Sequence, residues 1–219
     1  MQPTYTMTDL FETASRAPVL RSLARSTTPL SARAVGRAAN ISHTAAAATL
    51  KDLEAMGLTS HVRIGRADAY ELVRANAYVE RMVLPLIEAE QAIVDQLKAD
   101  LTETFSEHCV SLILFGSYAT GEQQELSDID LFALAPDERR KQRIEEVGCR
   151  TLDHFVQTYG SPLSLLVYTL AEAREHLPVG RNPFRTELES TGIILHGLGV
   201  SEWGADEPQG ENARPDATP

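Results

Sequence analysis

This sequence has little with which to cross-link or anchor itself. Its 219 residues include two cysteines, Cys109 and Cys149, too few for a disulfide framework or a thiolate metal cluster. No apolar run approaches the roughly 20 residues that span a bilayer. Met1-Gln2-Pro3-Thr4-Tyr5 shows neither the basic nor the apolar region of a secretory leader. From these absences we expect a cytoplasmic chain with no membrane partner. Positive charge is also scarce: 20 Lys and Arg stand against 31 Asp and Glu, for a net charge of −11. The deficit is uneven. Residues 1–75 hold nine basic residues against six acidic ones, while the remainder holds 11 against 25. A mildly basic head on an acidic body is the asymmetry expected if only the head meets a polyanion. What is present is ordinary for a globular protein, with 43% hydrophobic and 23% charged residues. The length suffices for two small domains, each with its own core.

The most informative chemistry lies in the middle of the chain. Val110-Ser111-Leu112-Ile113-Leu114-Phe115 is a short β-branched and aromatic run that reads as a buried strand. Gly116 allows a tight exit from it, and Ser117 is placed to cap a helix starting near Tyr118-Ala119. A strand-to-helix junction of this kind presents free backbone N–H groups suited to phosphates. After a spacer comes Ser127-Asp128-Ile129-Asp130-Leu131, read as a second strand from Asp128 to Leu134. Side chains alternate along a strand, so Asp128 and Asp130 share one face while Ile129 and Leu131 enter the core. Two like-facing carboxylates repel one another unless a cation lies between them, and Mg²⁺ takes such oxygens together with phosphates.

This pattern resembles the nucleotidyltransferase superfamily built on the DNA polymerase beta fold, in which an apolar residue, Gly and Ser precede Asp-apolar-Asp-apolar. The resemblance implies nucleotide binding at Gly116, Ser117 and Ser127. It also implies catalysis and Mg²⁺ or Mn²⁺ binding at Asp128 and Asp130, with an NTP as substrate. The reaction implied is transfer of a nucleoside monophosphate to a hydroxyl of a protein or small molecule. A partner protein as acceptor suits the small size of the domain. The family carries a third carboxylate on a later strand, here Pro162 to Thr169, and the aligned position holds Ser164. No Asp or Glu occurs between Asp153 and Glu172. Two readings follow: a transferase working with two carboxylates, or a regulator whose transferase-like domain senses a nucleotide or partner.

The N-terminal part has a different pattern. Ala17–Arg25 reads as a first helix, Ala32–Ala39 as a second capped by Ser31, and Ala45–Met56 as a third capped by Ser42 or Thr44. Leu50, Leu53 and Met56 form the buried stripe of that third helix, and Gly57 terminates it. Strands Leu58–Ile64 and Ala69–Val73 follow, joined by Gly65-Arg66-Ala67-Asp68. This order resembles a winged helix-turn-helix, in which the third helix enters the major groove of double-stranded DNA. The implied contacts are Ser42, His43, Thr44 and Lys51 on that helix, and Arg63 and Arg66 on the wing. A wing used only for protein contacts is the alternative.

From Asn76 to about Glu107, Val79, Met82, Val83, Leu86, Ile87, Ile93, Leu97 and Leu101 recur at helical spacing, with Pro85 kinking or splitting the helix. A helix of this kind packs on its own chain or against a second copy, which makes a homodimer an expectation. Arg181 and Arg185 are further candidates for the cleft. The tail from 199 to 219 is acidic and rich in Gly and Pro, as disordered segments are. The expected architecture is α+β: a winged helix (1–75), a helical connector (76–107), a minimal nucleotidyltransferase with a mixed sheet (108–198), and a disordered tail (199–219).

Overall fold

The computed structural model describes residues 5–65, 67–121 and 127–204. Arg66, the spacer 122–126 and residues 205–219 lie outside the described residues. The chain divides into two compact units, Met1–Val94 and Asp95–Pro219.

The first unit contains α1 (Met7–Leu10), α2 (Arg16–Ala24), α3 (Ala32–Ala38) and α4 (His43–Ala55). They accompany an antiparallel sheet in the order β1 (Leu30–Ser31), β3 (Ala67–Leu72), β2 (Thr59–Ile64). Helix starts follow their capping residues. Ser31 accepts from the Ala34 N–H at 3.3 Å, and Ser42 accepts from the Ala45 N–H at 3.1 Å. Between α3 and α4 the chain reverses at Asn40, whose φ of 51° is a left-handed conformation that asparagine tolerates. The Ile41 N–H then returns to the Gly36 carbonyl at 2.9 Å. The inner face of α4 is Ala46, Thr49, Leu50 and Leu53, with Met56 only half-buried. It packs in one core with Val19, Leu20, Leu23, Val35, Tyr70 and Leu72. Each fully buried leucine there contributes roughly 1.5–3 kcal/mol relative to exposure. The two-residue strand β1 is too short for any periodicity to reveal it. It exists because Leu30 and Ser31 pair with Tyr70 and Ala69.

The expected break at Pro85 takes a specific form. Val79–Val83 is π-helical, and the Leu84 N–H bonds the Val79 carbonyl five residues back before α5 (Leu84–Phe105) begins. Pro85 has no N–H to offer the preceding turn, so a wider turn accommodates it at the start of the α-helix. No helix among the described residues is long and apolar enough to cross a membrane.

In the second unit, β4 (Ser111–Phe115), β5 (Ile129–Ala135), β6 (Leu163–Thr169) and β7 (Ile193–Gly197) form a mixed sheet in the order β6-β5-β4-β7. Only the β5–β6 pair is parallel. The central strand β5 is apolar on both faces, as a strand covered on both sides must be. Ile129, Leu131, Ala133 and Ala135 join Leu101, Phe105, Ile144 and Phe155 in one core. Phe132 and Leu134 join Leu177, Leu188 and Trp203 in another. The crossover helix α7 (Glu138–Tyr159) lies close over β6 because residue 148 is glycine: a Cβ there would sit 2.5 Å from Leu165 Cδ2. Two short helices, α8 (Leu170–His176) and α9 (Pro183–Ser190), complete the other face. Cys109 is a core thiol, pushed up to about 11 by burial.

Two expectations fail here. Residues 199–204, assigned to the tail, include a 3-10 turn (Val200–Gly204) whose Trp203 is buried and stacked on Phe132, ring centroids 5.1 Å apart. Arg185 faces no cleft. It is buried, donates to the carbonyls of Leu177 and Val200 at 3.1 and 2.7 Å, and lies 5.6 Å from the Trp203 ring centroid. A buried guanidinium needs its donors spent in this way.

Candidate active site

The site lies where β4 ends and β5 begins, and backbone pairing brings its parts together. Phe115 is the register partner of Asp130, and on the other side of β5 Asp130 is the register partner of Ser164. The turn after Phe115, the carboxylate and the hydroxyl therefore stand in one row across three strands. The start of β5 is held by the Ile129 N–H, which donates to the Pro162 carbonyl at 2.8 Å.

Gly116 is required twice over. Its φ of 67° is left-handed, which costs an L-residue roughly 1–2 kcal/mol. A Cβ on it would also enter the Asp130 side chain, meeting its Cγ at 3.2 Å and Cβ at 3.3 Å. The backbone turn and the carboxylate are thus in direct contact across the strand ends. The following helix, α6 (Gly116–Thr120), starts earlier than its sequence suggests, with Phe115 as its first cap residue and no side-chain cap. Ser117 accordingly lies inside the first turn rather than capping it. Its N–H is one of the donors that an α-helix leaves without internal partners. The turn is anchored from its far side by Tyr118, whose hydroxyl hydrogen-bonds that of Ser161 at 2.6 Å. Tyr118 and Ser161 were not legible as site residues, because 43 positions separate them.

Asp130 is half-buried, and burial raises its pKa above the usual carboxylate range. A hydrogen bond from the Ser164 hydroxyl works against that shift, and the neighbouring Asp128 charge adds to it. Asp128 is exposed just before the strand, and Ser127 is half-buried beside it. The strand expected from Asp128 begins at Ile129, so Asp128 precedes β5 and strand alternation does not fix its side chain. Its charge still acts on Asp130, and the two form an oxygen donor set of negative charge. Hard divalent cations such as Mg²⁺ fit it, because they commonly use one or two carboxylates and complete their shell with phosphate oxygens and water. Among the described residues no cluster of three His, Cys, Asp or Glu side chains forms a metal cage. Ser164 stands in register with Asp130 on β6, at the position aligned with the third acid.

The other candidates are in the first unit. Ser42 is exposed and caps α4 through its hydroxyl oxygen, while His43, Thr44 and Lys51 are exposed on the same helix. Arg63 is exposed on β2 and paired with Asp68 at 3.5 Å. Arg66 lies outside the described residues. His43 and Lys51, with Arg33, Asp68 and Tyr70, line one groove beside the sheet.

With this geometry in view, the comparisons are specific on one point. Residues 94–167 match the nucleotidyltransferase domain family. The chain carries a nucleotidyltransferase domain. The matched span includes Gly116, Ser117, Ser127, Asp128, Asp130 and Ser164. No curated protein matches the chain. Among solved structures it is similar to a toxin-antitoxin with AMP-PNP at 17% identity and a TM-score of 0.31, over 48% of this chain and 77% of that one. It is also similar to a mutant of the toxin-antitoxin MntA-HpeT at 17% identity and a TM-score of 0.32, over 50% and 77% of the two chains.

Proposed function

We propose that this protein is a metal-dependent nucleotidyltransferase that moves a nucleoside monophosphate from an NTP to a hydroxyl of a protein or small molecule, and that its N-terminal unit is a DNA-binding winged helix. The observation that carries the first part is the contact between the Gly116 turn and the Asp130 carboxylate, within a span that matches the domain family. Asp128 and Asp130 would hold the Mg²⁺ or Mn²⁺ ion, which supplies charge stabilisation on the phosphates when bound. The first-turn N–H groups of Gly116 and Ser117 receive phosphate oxygens, with Ser127 beside them. Ser164, the register partner of Asp130 on β6, favours the charged form of that carboxylate. The acceptor oxygen bonds to the α-phosphorus as the bond to the β-phosphate breaks. Pyrophosphate leaves, and the acceptor proton passes to solvent or to Asp130.

Supporting the second part are the order of three helices and a β1-β3-β2 sheet, and the exposed His43, Thr44 and Lys51 on α4. Arg33 and Arg37 on α3 and Arg63 on β2 suit phosphate contacts. Ser164 favours a second reading, a transcription regulator that binds the nucleotide with little or no turnover. The test is incubation with each α-labelled NTP and Mg²⁺ or Mn²⁺, beside nucleotide-dependent DNA binding. Transfer of label supports the enzyme. Metal-dependent nucleotide binding without transfer, coupled to a change in DNA affinity, supports the regulator.

A further inference from the structure

The opposite end of the same sheet is built around cations. β5 ends at Ala135 and α7 begins at Glu138, while a 3-10 turn (Ser106–His108) leads into β4. Roughly 17 Å of strand separates this end from Asp130. Here His108, Arg139, Arg140, Gln142, Arg143 and Glu146 line a groove of about 400 Å³. The concentration of charge is unusual for its surroundings. Residues 95–219 contain 10 Lys and Arg against 22 Asp and Glu, and five of those ten lie between 139 and 150.

The five are not equivalent. Lys141 turns away and donates to both carboxylate oxygens of Glu172 at 2.6 and 2.8 Å, which raises its pKa. Arg143 shares Glu146 with Arg150, at 3.1 and 3.7 Å. Among the described residues, Arg139 and Arg140 have no carboxylate partner. Arg140 is instead held by neutral acceptors, the Glu107 carbonyl at 3.4 Å and His108 Nδ1 at 3.1 Å. Arginine only donates, so His108 Nδ1 accepts and its Nε2 carries the ring N–H. The guanidinium is thus positioned without its charge being neutralised.

We propose that this groove binds an oligophosphate, two or three linked phosphates, at a place separate from the carboxylate pair. Arg139 and Arg143 are one helical turn apart, a rise of about 6 Å, which suits adjacent linked phosphates held by bidentate guanidinium contacts. Along the chain the arginines are flanked by Asp137 and Glu138 before them and by Glu145 after them, and Glu146 lines the groove itself beside Arg143. Those carboxylates repel a long polyanion running past the arginines, so a short, charge-dense ligand fits and a nucleic acid backbone does not.

The test is calorimetric titration of the full chain with inorganic triphosphate in EDTA at low salt, repeated with a single-stranded RNA and with ATP, the last both in EDTA and in Mg²⁺. Saturable binding of triphosphate is expected. It should weaken at least about tenfold in Arg139→Glu/Arg143→Glu and with rising salt, and stay unchanged in Asp128→Ala/Asp130→Ala. Both arginines are exposed, so the substitutions reverse charge without disturbing the core. Binding of ATP with the same dependence on the arginines extends the site to nucleotides. Binding of ATP only in Mg²⁺, and dependent on the aspartates alone, confines the groove to inorganic oligophosphate. Absence of saturable binding, equal binding by the arginine variant, or tighter binding of RNA through the same arginines would each overturn the proposal.

Discussion

The two ends of the four-stranded sheet carry opposite charge and hold it by opposite means. At one end Asp130 stands on β5, with Asp128 just before that strand, beside a glycine turn with which Asp130 is in contact. At the other, Arg139, Arg140 and Arg143 stand on a helix, beside a histidine that comes from the turn before β4. The carboxylate end is confined by backbone geometry, since strand register and a left-handed turn leave no room for adjustment. The guanidinium end is an exposed helical surface, where Arg140 is held by neutral hydrogen-bond acceptors and Arg143 by the exposed Glu146. Chemistry that needs fixed geometry belongs at the first end, and reversible anion binding, which tolerates flexible side chains, at the second.

The sharpest way to break this contrast is at Gly116. Gly116→Ala introduces a strained φ and drives a methyl group into Asp130, so nucleotidyl transfer should fall about a hundredfold. The melting temperature should drop by about 4–8 °C, as read by thermal denaturation. Transfer and stability both near wild type would mean that the turn and the carboxylate are independent. Ser164→Asp should sharpen the same end in the opposite direction. A third carboxylate beside Asp130 is expected to raise transfer about tenfold in the presence of Mn²⁺, a gain assayed with labelled NTP. At the other end, Arg139→Glu/Arg143→Glu should leave transfer within about twofold while it weakens triphosphate binding. Equal losses in both assays would merge the two ends into one site.

The smallest effect is thermodynamic. Burial raises the Asp130 pKa, so between its unfolded and folded values the native state binds more protons than the unfolded state. Stability from this group is therefore present at low pH and lost as pH rises through that window. Asp130→Asn should raise the melting temperature at pH 7 by about 2 °C, with no gain near pH 3. A fall at pH 7 would show the ionised carboxylate to be stabilising.

What could be read from the sequence depended on distance along the chain. Gly116, Asp128 and Asp130 were legible because strand alternation and a glycine turn are local properties, and Ser164 because its strand is a clear apolar run. The caps at Ser31 and Ser42 were legible for the same reason. Ser117 was misread as a cap, since the start of α6 is set by how Phe115 pairs with Asp130 and not by the residues of the helix. Strand β1 depends on Tyr70 and Ala69, some 40 positions away, and has too few residues to show a period. Trp203 and Arg185 belong to a core assembled from five separate elements, β4, β5, α8, α9 and the 3-10 turn, so nothing local to either residue shows its burial. The basic groove was visible only as an arginine run. Its separation into Lys141, committed to Glu172, and Arg139 and Arg140, left without a carboxylate, is a tertiary fact.

The decisive measurement is transfer of label from α-labelled NTP in Mg²⁺ or Mn²⁺ by the full chain, with purified candidate acceptors or cell lysate, beside Asp128→Ala/Asp130→Ala. Label on an acceptor that falls by about a thousandfold in the double variant is the expected result. Label that persists in the double variant, or nucleotide bound with no transfer under any condition, would contradict the assignment of catalysis to this pair of carboxylates.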